Sequence, residues 1–130
     1  MEPKWLTIEM VSPIHAQTIR LFDGSPGVRD RGRLDSALER RRNLYHCADA
    51  PSLFDLAAAY CAGIIKNHPF VDRNKRTGIL IAKAFIALNG YRSEPDEVDV
   101  VWVIMALAYG TADEAMLASW FSDNCRPKRD

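Results

Sequence analysis

The chain has 130 residues, room for one domain with a real core rather than two. Hydrophobic residues make up 48% and charged residues 26%, the ordinary balance expected of a soluble domain. Lysine plus arginine equals aspartate plus glutamate, at 17 each, so net charge gives no reason to expect general nucleic-acid binding.

The three cysteines, Cys47, Cys61 and Cys125, are odd in number and scattered, with no CxxC pair. A reduced, cytoplasmic protein is expected, not a disulfide scaffold or a zinc site. His46 beside Cys47 lacks further ligands at suitable spacing. No basic segment followed by an apolar one opens the chain, so no secretory leader is expected. The apolar runs meet Lys66 and Lys83 and fall short of the roughly 20 residues that span a bilayer, so no membrane association is expected.

Taken in order, Ile14, Thr18, Leu21 and Phe22 follow a helical spacing, with Ser12-Pro13 as the expected start. His15 is expected on an exposed or boundary face. Asp23-Gly24-Ser25-Pro26-Gly27 ends that helix in a turn. A second helix is predicted from near Asp30, with Leu34, Ala37, Leu38 and the stem of Arg41 on one face. Arg40-Arg41-Arg42 reads as a solvated helix end whose cations suit the dipole, or as a binding patch. Asn43 to Pro51 has weak periodicity, and Leu44-Tyr45-His46-Cys47 allows a short extended piece.

Ser52, with Asp55 three residues on, reads as a variant capping box. From Leu53 to Ile65 the chain is apolar almost all round, which belongs in the middle of a bundle. A second such helix is predicted from about Lys75 to Leu88, stopped by Asn89-Gly90. Joined by a short loop, the two form an antiparallel pair with the loop at the end of the core. Ser93-Glu94-Pro95-Asp96 opens a further helix with Val98, Val101, Trp102 and Met105 on a face. Thr111-Ala112-Asp113-Glu114 matches a capping box and opens the last, carrying Leu117, Trp120 and Phe121. Trp5, Trp102 and Trp120 are expected in the core. The tail from Arg126 is expected to fray. The whole reads as one all-α domain, 1–130, of about six helices with at most a small hairpin.

The loop between the two apolar helices holds the chemistry. His68-Pro69-Phe70-Val71-Asp72-Arg73-Asn74-Lys75-Arg76 packs an imidazole, an acid, an amide and three cations into nine residues. Asn74, Lys75 and Arg76 fall at a helix start, where backbone N–H groups and the dipole favour an anion. Arg76 can grip two phosphate oxygens, and Asn74 can fix the loop or donate to phosphate. Asp72 suits such a site if Mg²⁺ lies between it and the phosphates. His68, whose ordinary pKa is about 6.5, can take a proton from a hydroxyl. Phe70 is expected to anchor the loop in the core.

These residues resemble the Fic/Doc superfamily, and most closely its Doc, or death-on-curing, toxin branch. The superfamily pattern is His-x-Phe-x-Asp/Glu-Gly-Asn-Gly-Arg-x-x-Arg; here it reads His68-x-Phe70-x-Asp72-Arg73-Asn74-Lys75-Arg76-x-x-Ile79. The stretches from Gly27 to Leu38 and from Leu88 to Tyr91 are similar too. The resemblance implies a Fic-like helical bundle with a small β flap, Mg-ATP as donor and a protein hydroxyl as acceptor. By position it implies His68 as base, Asp72 as Mg²⁺ ligand, and Asn74, Lys75 and Arg76 as phosphate binders. It also implies a target-aligning flap, for which Leu44, Tyr45, His46 and Cys47 are the candidates. A cognate antitoxin partner is implied, and elongation factor Tu as a target whose modification halts translation.

Three departures matter. Lys75 replaces the second glycine, as in Doc proteins, and Ile79 replaces the last arginine. Both suggest that the triphosphate lies differently than in AMP-transferring Fic enzymes; the resemblance to Doc proteins implies phosphate transfer, with AMP transfer as the alternative. Arg73 stands where a small residue is expected, either as a further phosphate ligand or as a side chain that crowds the site. Crowding would leave the alternative of a weakly catalytic binding module held by an antitoxin. A DNA-binding helical domain is disfavoured by the balanced charge and the lack of a recognition helix.

Overall fold

The computed structural model describes residues 2–47, 51–93 and 97–128. Among these residues the chain forms six helices: α1 Ile8–Phe22, α2 Arg31–Cys47, α3 Leu53–Asn67, α4 Asn74–Leu88, α5 Glu97–Tyr109 and α6 Glu114–Asp123. Two short strands, β1 Tyr91–Ser93 and β2 Cys125–Pro127, pair antiparallel with Arg92 opposite Arg126. The architecture is an all-α bundle with one small sheet.

α3 lies at the centre because its sequence has no polar face. Every residue from Leu56 to Ile64 is buried, and α2, α4 and α6 pack around it. Two glycines allow the close approach. A Cβ on Gly63 would sit 2.8 Å from the Ala37 carbonyl oxygen of α2, and one on Gly78 of α4 would sit 3.1 Å from the Cys61 carbonyl oxygen. Burial pushes the Cys61 thiol far above its ordinary range, so it stays protonated and serves as a small core group. Trp5 stacks on Phe85 with ring centres 5.8 Å apart, closing the bundle on the α1 side.

α3 starts where the Ser52–Asp55 pairing predicts. The Ser52 hydroxyl accepts from the Asp55 N–H at 3.0 Å, and the Asp55 carboxylate accepts from the Ser52 N–H at 2.9 Å. Asp30 likewise caps α2, accepting from the Arg33 N–H at 3.0 Å. Elsewhere local signals mislead. α1 begins at Ile8, not at Ser12-Pro13, and Pro13 sits inside it on the exposed side. There the missing N–H leaves its carbonyl partner open to solvent rather than buried. α6 is capped by Asp113, whose carboxylate accepts from the Met116 N–H at 2.9 Å, while Thr111 turns back to the Ala106 carbonyl. Leu44–Cys47 is the last turn of α2, not an extended piece: its backbone groups belong to the helix, and Tyr45 packs edge-on against Trp5.

The tail is pinned rather than frayed as far as Lys128. Beyond the β2 pairing, Lys128 donates its N–H to Gly90 at 2.9 Å and its ammonium to the Ala87 carbonyl at 2.6 Å, near the C-terminus of α4. Trp102 is 69% exposed, outside the core; α5 turns Val100, Val103, Ile104 and Leu107 inward instead. Residues 94–96, and the side chains of Arg40 and Arg41, lie outside the described residues.

Candidate active site

The α3–α4 connection, residues 68–73, has its two ends in the left-handed region. His68 has φ 47° and ψ 55°, and Arg73 has φ 61° and ψ 35°. Neither is glycine, so each conformation costs about 1 kcal/mol or more and needs compensation. Two arginines supply it at opposite ends.

At the first end, the His68 N–H closes α3 onto the Ile64 carbonyl at 3.1 Å. The Arg29 guanidinium then donates twice to the His68 carbonyl, at 3.1 and 2.6 Å, while Arg33 donates to the Asn67 carbonyl at 3.3 Å. The imidazole itself stays exposed at the rim of a cleft. At the other end, Arg73 turns away from the loop. Its Nε donates to the Asp23 carbonyl at 2.6 Å and its Nη2 to the Phe22 carbonyl at 2.5 Å, satisfying orphan groups at the end of α1.

Between these ends the segment Asp23–Asp30 splints the loop. Pro69 accepts from the N–H groups of Arg29 and Asp30 at 2.7 and 3.1 Å, and Val71 donates to Gly27 at 3.0 Å, forming a bridge between Val28 and Phe70. Phe70 enters the core, 1% exposed, and its ring stacks on that of His15 with centres 4.0 Å apart. His15 is buried, not on an exposed or boundary face, because α1 turns Val11, His15 and Thr18 inward. Its Nε2 lies 3.0 Å from the Asp72 carbonyl oxygen; an oxygen partner requires the proton on that nitrogen. Asn74 closes the turn with both ends of its amide: Oδ1 accepts from the Phe70 N–H at 2.9 Å and Nδ2 donates to the Phe70 carbonyl at 3.0 Å.

Asp72 is aimed the same way. Its carboxylate accepts from the Ser25 N–H at 3.2 Å and the Arg73 N–H at 2.8 Å, and these two bonds hold its pKa below the ordinary value. Gly24 makes this possible. Its φ is +143°, and a Cβ there would stand 2.8 Å from Asp72 Oδ2.

His68, Val71, Asp72, Arg73, Asn74, Lys75 and Arg76, with Ile104 from α5, line an open cleft of about 380 Å³. A larger groove of about 470 Å³ runs along α1 and α4, but no acid or imidazole lines it. The smaller cleft is therefore the one that brings an acid and an imidazole together. α4 enters it without a side-chain cap, since Arg73 points elsewhere, so the first-turn amides and the positive dipole end face the opening. Lys75 and Arg76 line the same opening, and the Arg76 guanidinium lies over the ring of Phe22, a residue of the larger groove, 4.2 Å from its centre. Among the described residues no three His, Cys, Asp or Glu side chains cluster to hold a metal unaided. A cation beside Asp72 would need phosphate oxygens as well, and the uncapped helix start fits that donor set.

The structure thus brings together His68, Asp72, Asn74, Lys75 and Arg76, as expected. Arg73 lines the cleft too, but its guanidinium is engaged by the Phe22 and Asp23 carbonyls at the end of α1. Of the two roles left to Asn74, its side chain fills the loop-fixing one. Leu44, Tyr45, His46 and Cys47 do not flank the cleft. Arg33 of α2 reaches the Asn67 carbonyl where the loop begins, and Leu44 comes roughly 17 Å further along that helix. His15 and Arg29 also hold the loop, through contacts with its backbone carbonyls. A helical face of Val11, His15 and Thr18 is a signal for the first; the second lies in the Gly27–Leu38 stretch that resembles the family, without a spacing that ties it to the loop.

The Fic/DOC family model matches residues 5–86, which include every cleft residue except Ile104. The chain is 41% identical over 76 residues to a protein of Mycolicibacterium smegmatis named Toxin Doc, covering 58% of each. It is 30% identical over 82 residues to Protein kinase doc of Escherichia phage P1, covering 63% of this chain and 65% of that one. In both cases the match spans less than two thirds of the relative. Since the family model covers more than half of the sequence, and the loop it contains is assembled as described, the chain belongs to the Fic/DOC family.

Proposed function

We propose that the protein transfers a phosphate from Mg-ATP to a hydroxyl of a protein target, and that it acts as the toxin of a toxin–antitoxin pair. The supporting observation is the cleft: a rim imidazole, an ionised carboxylate, and an uncapped helix start with Lys75 and Arg76 beside it. The relative named as a protein kinase points the same way.

In this reading the α4 amides, Lys75 and Arg76 hold the phosphates. Asp72 would hold Mg²⁺ beside them, and the ion would supply charge neutralisation at the transferring group. The target hydroxyl attacks the γ-phosphorus, the bond to the β-phosphate oxygen breaks, and His68 accepts the hydroxyl proton as ADP leaves. His15 keeps the Asp72 peptide in place, and Arg29 keeps the His68 peptide in place, so acid and base stay in register. Ile79 is 1% exposed and brings no cation to the cleft, which favours this reaction over AMP transfer. A translation elongation factor such as elongation factor Tu, in the cytoplasm, is the proposed acceptor, and a small antitoxin the proposed partner.

ATP labelled separately at the α and γ phosphates, incubated with the protein and a cell lysate, tests the reaction. Label reaching protein from the γ position is expected, and label from the α position alone would replace it with AMP transfer. His68→Ala should lower transfer by about 10²- to 10⁴-fold.

A further inference from the structure

The α5–α6 half carries an apolar surface that the loop chemistry does not use. Trp102, Met105 and Tyr109 lie along one side of α5 with exposures of 69%, 47% and 77%, and Met116 of α6, at 55%, continues the surface. Between the helices, Trp102, Ala106, Met116 and Trp120 line a groove of about 450 Å³, with Asp123 on its wall. Contiguous exposure of this kind marks an interaction surface, whereas single apolar residues do not.

Charge selects the occupant. Residues 93–125 contain seven acids and no lysine, arginine or histidine, leaving all 17 cations and ten acids to the rest of the chain. Asp99, one turn before Trp102, and Asp113, at the start of α6, are both exposed. Arg126 reaches this edge, donating to the Asp123 carbonyl at 3.3 Å. An acidic surface repels anionic lipid and nucleic acid. The basic face of α2, bearing Arg31, Arg33 and Arg42, is polar, with Asp35, Ser36, Glu39 and Asn43 exposed, and offers a second copy no apolar stripe.

We propose that the α5–α6 face docks an amphipathic helix of a partner protein, with apolar residues along one side and lysine or arginine at the flanks. The stripe from Val98 to Tyr109 is about 17 Å long, three helical turns, which matches anchors at i, i+3, i+4 and i+7. The inference does not depend on the proposed reaction. α5 meets the cleft through Ile104, which lies on a different side of the helix from Trp102 and Met105.

The intact protein can be titrated with a three- to four-turn leucine–lysine helical peptide and with its leucine–glutamate counterpart, following binding by calorimetry and tryptophan emission. The lysine peptide should bind at least about tenfold more tightly, and raised salt should weaken it. Trp102→Ala with Met116→Ala should weaken it by about tenfold or more, with the circular dichroism spectrum retained. Asp99→Lys with Asp123→Lys should move the preference to the glutamate peptide, and His68→Ala should bind as wild type does. Equal affinity for both peptides, or indifference to the paired alanine variant, overturns the proposal. So does a dimer in sedimentation that the paired alanine variant abolishes, which assigns the face to a second copy.

Discussion

α3 and α5 are both strongly apolar in sequence, yet the bundle treats them oppositely. α3 is enclosed by α2, α4 and α6, with glycines letting two of those neighbours approach to backbone contact. α5 touches the core along one side, through Val100, Val103, Ile104 and Leu107, and presents Trp102, Met105 and Tyr109 outward. Apolar content therefore reports that a helix can be buried. Its place in the bundle decides how much of it is.

Stability measurements by denaturant unfolding can break this contrast. Phe85→Ala, in the wall of α4 against Tyr60 and Trp5, should cost about 3–5 kcal/mol. Trp102→Ala removes a side chain of similar kind and should change stability by less than about 0.5 kcal/mol. Comparable losses at the two positions would mean that α5 is packed on both sides.

Thr77 sharpens the picture of the core. Its hydroxyl is buried and finds no hydrogen-bond partner among the described residues. Thr77→Val keeps the shape and removes that group, so it should raise stability by about 1 kcal/mol. A loss would indicate a partner for the hydroxyl.

Smaller effects are expected at the loop. Arg73→Gly relieves a positive φ but releases the end of α1, so the two changes oppose each other and stability should shift by less than about 1 kcal/mol. On the proposed reaction, the KM for ATP should change by less than about threefold, because the guanidinium is held by the Phe22 and Asp23 carbonyls. A tenfold rise would return Arg73 to phosphate binding.

The last test is a titration. Asp72 has a depressed pKa when folded, so its contribution to stability is complete above its unfolded pKa and fades as pH falls through the lower folded value. Its carboxyl carbon, followed by NMR, should titrate with a midpoint below 3.8. A midpoint at or above that value would mean that the Ser25 and Arg73 amides do not hold it.

Much of this molecule is legible before folding. The all-round apolar runs fix α3 and α4, and the Ser52–Asp55 pairing marks where α3 begins. The loop between them then has one place to go, at the end of the core, which is why His68, Asp72, Lys75 and Arg76 meet. The exceptions share a physical cause. Asp113 outcompetes Thr111 as a cap, and Leu44–Cys47 continues a helix that local periodicity would not extend. Arg29, His15 and Arg73 act through contacts between segments distant in sequence, on backbone carbonyls that carry no residue identity. No spacing rule along one segment reveals such contacts.

Gly24 carries this furthest. It has no functional group, yet the space it leaves empty is where the Asp72 carboxylate sits. A genetic selection for chains that have lost activity should return substitutions at Gly24 together with those at the imidazole and the acid. Residues recovered by such a screen would include one that does nothing except stay out of the way.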